Sequence, residues 1–298
     1  MRSVPALVLR RLAAAAATTL ALSLAACGTS GGEPAPPARP LSILLTNDDG
    51  WDAAGITAVY DALVARGHKV TLVGPAANQS GASMSTSPGA LSVTRPDPGQ
   101  PKYAVSGTPV DATMVGLTGI LTSPPDLVVS GTNLGANVAY NVNYSGTVGA
   151  ATAAAERGIP AIAVSADNGD GTQADFRTAS ELVVDLVDEL AADGGKGLDR
   201  LGGDGLLNVN VPVASPGGPD GVRFTEVGEA SPWRVTYRDR RDGTYAERRS
   251  YSARVGADDD DARTLAEGIV SISWLTPERG DRGPSDLEKL LPGFDPFD

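Results

Sequence analysis

The chain has 298 residues, enough for one large α/β domain or two small ones. Its 36 acidic against 24 basic residues give a net charge of −12, which argues against nucleic-acid binding, since that needs basic stripes. An apolar content of 41% with 36 Gly and 22 Pro is that of a loop-rich globular protein, with no repeat and no apolar run long enough for a mature membrane span.

Arg2, Arg10 and Arg11 form a basic opening, followed by the apolar run Leu12 to Ala26. That run, about 15 residues, has the length of a secretory signal and is short for a bilayer span. Leu24-Ala25-Ala26-Cys27 then resembles a bacterial lipobox, in which cleavage precedes Cys27 and the Cys is lipidated. An ordinary secretory signal with an incidental Cys is the alternative. The position of Cys27 and its lack of any disulfide partner favour the lipoprotein. Gly28 to Pro40 cannot pack a core and reads as a tether. The expected organisation is a signal peptide over residues 1–26, a disordered tether over 27–40 and one folded domain over 41–298. Such a protein would be extracytoplasmic and lipid-anchored to the bacterial cell membrane. Loss of the three leader Arg leaves 21 basic against 36 acidic residues, a net −15. That surface slows anionic ligands unless cations or local dipoles compensate.

The first element of the domain is the apolar run Ile43-Leu44-Leu45, which has the length of a buried parallel strand. It ends abruptly in Thr46-Asn47-Asp48-Asp49-Gly50. In an open α/β sheet, ligands bind at the carboxyl edge of the strands, where Asp48 and Asp49 fall. Adjacent carboxylates repel one another, and a hard divalent cation removes that penalty. The competing reading is a solvated turn carrying a helix N-cap. Ile56, Val59, Tyr60 and Leu63 recur at a helical period, Gly67 ends the helix, and Lys69 to Val73 reads as the second parallel strand of a βαβ unit. His68, the chain's single His, is expected in a surface turn at that junction. The polar stretch Asn78-Gln79-Ser80-Gly81 lies beyond the second strand. Short β segments follow around Leu91 to Val93 and Tyr103 to Val105, and Pro109 starts a helix carrying apolar residues to Leu121.

Asp126 to Ser130 is another buried strand, running into Gly131-Thr132-Asn133-Leu134-Gly135-Ala136-Asn137. Ser145-Gly146-Thr147 opens an Ala-rich helix reaching Arg157. A strand over Ile159 to Val164, an amphipathic helix over Ala174 to Ala191 and a strand over Gly205 to Val211 complete the parallel core. Val235, Tyr237, Tyr245 and Tyr251 flank Asp242-Gly243, the signature of a long polar hairpin. Asp258 to Asp261 lacks the spacing of a calcium loop and is read as a solvated turn. Ile269 to Trp274 is a final strand, and Ser285 to Leu291 a short helix.

Three polar segments thus follow predicted strands and should meet along one sheet edge. They offer carboxylates, a hydroxyl and amide oxygens, ligands for Mg²⁺ or Mn²⁺ rather than zinc. The free N–H groups at a helix opened by Ser145 favour a phosphate, although a Ser N-cap alone would explain the same residues. A metal beside an anion cradle is equipment for phosphoester hydrolysis. Asp48-Asp49-Gly50 lacks the Asp-x-Asp spacing of haloacid-dehalogenase-type phosphatases.

Thr46-Asn47-Asp48-Asp49-Gly50, Asn78-Gln79-Ser80-Gly81, Gly107-Thr108-Pro109, Ser130-Gly131-Thr132-Asn133 and Ser145-Gly146-Thr147-Val148 resemble, in order, the signatures of the SurE family of metal-dependent 5'/3'-nucleotidases. The resemblance runs from about Leu41 to Trp274. It implies a Rossmann-like, mostly parallel sheet with helices on both faces, a protruding β-hairpin and a C-terminal swap-type segment. It implies one divalent ion on Asp48, Asp49, Ser80 and Asn133, and phosphate contacts from Asn47, Asn137, Ser145, Gly146 and Thr147. Catalysis would fall to Asp48, Asp49 and Asn47. The hairpin around Trp233 to Tyr251 would build a homodimer or homotetramer. Two positions depart from the usual bacterial pattern: Ala76-Ala77 stand where Arg is common, and Tyr140 to Tyr144 lack the frequent acids. The expected activity is hydrolysis of nucleoside monophosphates by a metal-activated water. The alternative is an extracytoplasmic solute-binding lipoprotein that holds phosphorylated ligands without turnover.

Overall fold

Ile43 and Leu45 point to one side of their strand and Leu44 to the other, and each side feeds a separate apolar core. This explains why β1 (Ser42–Thr46) is apolar without alternation: both of its faces are covered. The computed structural model describes residues 39–169, 174–192, 194–202, 205–229, 233–251 and 259–278. The leader, Cys27, most of the tether, Asp258, the helix expected over Ser285 to Leu291 and the C-terminal swap-type segment lie outside the described residues.

On one face of the sheet, α1 (Ala54–Ala65) and α4 (Phe176–Ala191) bury Ile56, Val59, Leu63, Val183 and Val187 against Ile43 and Leu45. On the other face, α2 (Pro109–Val115) and α3 (Gly146–Ala155) pack Ala112, Val148, Ala151 and Ala154 against Leu44. α2 opens on Thr108, whose hydroxyl accepts from Asp111 N in a reciprocal capping box, with Pro109 in the first turn. It gives way to a π-helical turn over Gly116–Ile120 rather than continuing to Leu121. α3 is buried on every side, which its Ala and Gly composition permits.

The parallel strands β2 (Lys69–Pro75), β5 (Leu127–Leu134), β6 (Ala161–Ala166) and β7 (Leu206–Val211) flank β1. With β3 (Val93–Thr94), β4 (Lys102–Val105), β8 (Val222–Thr225) and β11 (Val270–Leu275) they form one nine-stranded sheet in the order β3-β4-β2-β1-β5-β6-β7-β11-β8. β11 runs antiparallel to β7, and β3 antiparallel to β4. From β1 the chain builds outward through β2 and β4, then returns to place β5 on the other side. The order therefore reverses between β1 and β5, where an open sheet leaves a crevice for a ligand. β9 (Trp233–Asp239) and β10 (Tyr245–Tyr251) make the expected hairpin as a separate two-stranded ribbon.

Two expectations fail. His68 is buried, at 5% exposure, not in a surface turn. Its Nδ1 accepts from Leu41 N at 3.2 Å, while Nε2 lies 3.6 Å from Asp188 on α4. Asp260 and Asp261 are likewise buried rather than in a solvated turn. Asp260 caps α6 (Asp261–Ala266) by accepting from Arg263 N. Asp261 Oδ1 accepts from Ala139 N, Gly228 N and Ala262 N, so one carboxylate ties three separate backbone segments together. The short elements α5 (Lys196–Leu201), α6 and β8 carry too few residues for a readable period.

Candidate metal and phosphate site

The turn after β1 is held by Asn47, whose Nδ2 donates to Gly50 O at 2.8 Å. Asn47 is fully buried and does not line the cleft, so its side chain braces the Asp loop. Asp48, 3% exposed, lies against the first turn of α3, and its Oδ1 accepts from Thr147 Oγ1 at 2.6 Å. This contact depends on Gly146: a Cβ there would stand 2.8 Å from Asp48 Cβ and 3.0 Å from its Oδ2. One turn along, a Cβ on Gly149 would meet the Ser83 carbonyl oxygen at 2.2 Å. Two glycines thus let the Asp loop and the Ser80 loop rest directly on the same helix end. The Ser80 loop is fixed further by Gln79 N donating to Asp48 O and by Ser83 Oγ donating to Asn143 O.

Burial raises the Asp48 carboxyl above its usual range, against the hydrogen bonds from Thr147 and the helix N–H groups. Asp49 accepts from Leu134 N at 2.8 Å and from Asn78 Nδ2 at 3.2 Å. Burial, with a smaller contribution from the Asp48 charge, pushes it up to about 6. A divalent cation beside the pair would offset that cost.

β5 does not stop at Ser130 but continues to Leu134, carrying Asn133 to the cleft. Asn133 Nδ2 donates to Gly135 O at 2.7 Å, which commits the amide nitrogen and leaves the carboxamide oxygen as the acceptor for a ligand. Asp48, Ser80, Asn133, Asn137 and Ser145 all line one cleft of about 1160 Å³, whereas Asp49, Gly146 and Thr147 do not. Two carboxylates, a hydroxyl and a carboxamide oxygen suit a hard divalent ion. Among the described residues no group of three or more His, Cys, Asp or Glu could hold a metal, so a zinc-type cage is not on offer.

A family model described as Survival protein SurE matches residues 43–233. The chain belongs to the SurE family. A protein named 5'-nucleotidase SurE from Desulfatibacillum aliphaticivorans is 38% identical over 251 residues, covering 82% of this chain and 95% of that one. One of the same name from Stenotrophomonas maltophilia is 41% identical over 189 residues, covering 63% of this chain and 70% of the relative. The crystal structure of the SurE protein from Aquifex aeolicus superposes with a TM-score of 0.70 at 30% identity, over 83% of this chain and 98% of that one.

In this SurE-family chain the cleft also rests on residues that sequence reasoning missed. Asn137 N donates to Asn210 Oδ1, its Nδ2 donates to Ser165 Oγ, and its carbonyl accepts from Asn208 Nδ2. The signal was present in Asn208-Val209-Asn210: two amides two residues apart in an apolar strand share one face, and buried amides need partners.

Proposed function

We propose that the chain hydrolyses nucleoside monophosphates as a metal-dependent phosphomonoesterase using Mg²⁺ or Mn²⁺. The observation that carries this is the Asp48 carboxylate held on the N-terminus of α3, in a cleft shared with Ser80, Asn133 and Ser145. The relatives' name, 5'-nucleotidase, supports the same reading. Asp48, Asp49, Ser80 and Asn133 would hold the ion, which when bound polarises a phosphate oxygen and lowers the pKa of a water. The chain's own residues do the rest. Ser145, at the N-terminus of α3 and in the cleft wall, receives a phosphate oxygen as charge develops on it, while the first-turn N–H groups of α3 hold the Asp48 carboxylate and the Ser145 hydroxyl. Thr147 fixes the Asp48 carboxylate, and Asn137, held by Asn208, Asn210 and Ser165, positions the ligand. Asp48 or Asp49 takes the proton from the attacking water, and Asn47 holds their loop in register. The test is phosphate release from AMP and GMP by the domain beginning at Arg39, with Mn²⁺, Mg²⁺ or EDTA. Release that survives EDTA overturns the reading. Tight ligand binding without turnover under any metal would instead favour the solute-binding alternative.

The domain division at 26 and 40, export and a lipid anchor at Cys27 belong to the same proposal, supported by the basic leader and Leu24-Ala25-Ala26-Cys27. A Cys27→Ala variant should leave the membrane fraction; unchanged fractionation counts against it. Assembly into a homodimer or homotetramer is supported by the hairpin, where Tyr237 and Tyr245 are 66% and 64% exposed. A domain that sediments as a monomer at micromolar concentration removes that part.

A further inference from the structure

The metal and phosphate groups account for only one end of the cleft. β1, β5, β6 and β7 lie side by side in that order, so the loop leaving β6 is two strand spacings from β1, roughly 10 Å. This matches the reach from a phosphate across a sugar. The loop is Asp167-Asn168-Gly169, and all three residues line the cleft. Beyond it the lining turns apolar, with Pro212, Val213 and Leu265 joined by Val235 at the root of the hairpin.

Asp167 is 7% exposed. Its Oδ1 accepts from Gly169 N at 3.0 Å, and its backbone N donates to Val211 O at 2.8 Å, so the side chain is fixed between the loop and β7. Burial raises its carboxyl, and among the described residues no Lys or Arg bridges to it. A fixed carboxylate in the wall of a ligand cleft, held by backbone N–H groups and by no cation among the described residues, has lone pairs left for a ligand's donors. Two adjacent hydroxyls are donors spaced for its two oxygens.

We propose that Asp167 is a specificity-determining residue that accepts hydrogen bonds from the ribose hydroxyls of a nucleotide whose base lies against the apolar end of the cleft. This rests on the nucleotidase reading above. It requires the protein to favour ribonucleotides over 2'-deoxyribonucleotides, by about tenfold for one hydrogen bond to a charged group.

Binding of AMP and 2'-deoxy-AMP is measured by calorimetry in EDTA, and kcat/KM for both in Mn²⁺, on the wild-type domain and on Asp167→Asn. Asn keeps an oxygen for Gly169 N, so the loop closes while the charge is gone. The expected result is a tenfold preference for AMP in the wild type that falls to near unity in the variant, with the turnover effect in KM rather than kcat. Equal binding of AMP and 2'-deoxy-AMP by the wild type overturns the proposal even if the variant fails to fold. An unchanged preference in a folded Asp167→Asn overturns it too. So does a selective loss of GMP against AMP with the hydroxyl preference intact, which would assign the carboxylate to the base. Wild-type protein that cleaves p-nitrophenyl phosphate without discriminating hydroxyls refutes this inference alone. Discrimination in EDTA with no phosphate release under any metal refutes the phosphatase reading alone.

Discussion

Replacing Asp49 by Asn should make the metal-free protein more stable and the metal-loaded protein less stable than wild type. Asp49 titrates near 6 in the fold against 3.8 when solvated. A raised carboxyl binds its proton more tightly in the folded state, so the cost of ionising it is absent below pH 3.8 and complete above about 6. At about pH 7.5 that cost is about 3 kcal/mol for a fully desolvated group, and about 2 kcal/mol once the partial exposure of Asp49 is allowed for. Asn escapes this cost and keeps the bond from Leu134 N. It gives up the 3.2 Å contact from Asn78, which is worth about 0.5–1 kcal/mol. The balance, about 1 kcal/mol, should raise the Tm of a domain this size by about 2–4 °C in EDTA. With Mn²⁺ at about 100 times its Kd, wild type gains about 2.7 kcal/mol and the variant far less, so the order inverts. Thermal melts in EDTA and in Mn²⁺ read both halves, and the EDTA gap should close as the pH is lowered towards 4. An Asp49→Asn protein that melts below wild type in EDTA, or gains as much from Mn²⁺, would refute the placement of a cation beside this carboxylate.

Ser145→Ala removes the N-cap acceptor for Val148 N and a hydroxyl from the cleft, so about 1 kcal/mol of stability and phosphate affinity should be lost while Mn²⁺ binding persists; calorimetry with each ligand separates these. Burial depresses the His68 pKa below its usual value, against the raising effect of Asp188, so neutral His68 supports the fold above pH 6.5 and this support is lost as the pH falls through the lower folded value. Denaturant titrations between pH 7.5 and about 5 should show that loss, with a shallower slope in His68→Gln. Asp261→Ala strips a shared acceptor from the N–H groups of Ala139, Gly228 and Ala262 and should cost about 3 kcal/mol, read as a lower denaturation midpoint.

The strands that carry the cleft were legible because both of their faces are buried, and a run such as Ile43-Leu44-Leu45 has few other uses. That Asp48, Ser80, Asn133, Asn137 and Ser145 share one cleft was legible because each stands where a strand or helix terminus leaves backbone or side-chain oxygens over the sheet edge. What escaped were polar side chains whose partners lie far away in the chain. Asp261 reads as part of an acid run until Ala139, 122 residues earlier, is placed on its carboxylate. His68 reads as a turn residue until the Leu41 N–H, across the strand start, is seen to need its ring nitrogen. Asn47 stands apart from its neighbour Asp48, which lines the cleft: its amide closes the local turn onto Gly50, a role that the motif alone does not separate from ligand contact.

The carboxylate of Asp261 has mechanical consequences. It grips Gly228, shortly before the two-stranded ribbon in the chain, and Ala139, two residues from Asn137 in the cleft wall. Val235 in that ribbon forms part of the cleft wall. A single buried side chain thus pins together two stretches of backbone that lie 89 residues apart in the chain, one of them beside Asn137 in the cleft wall.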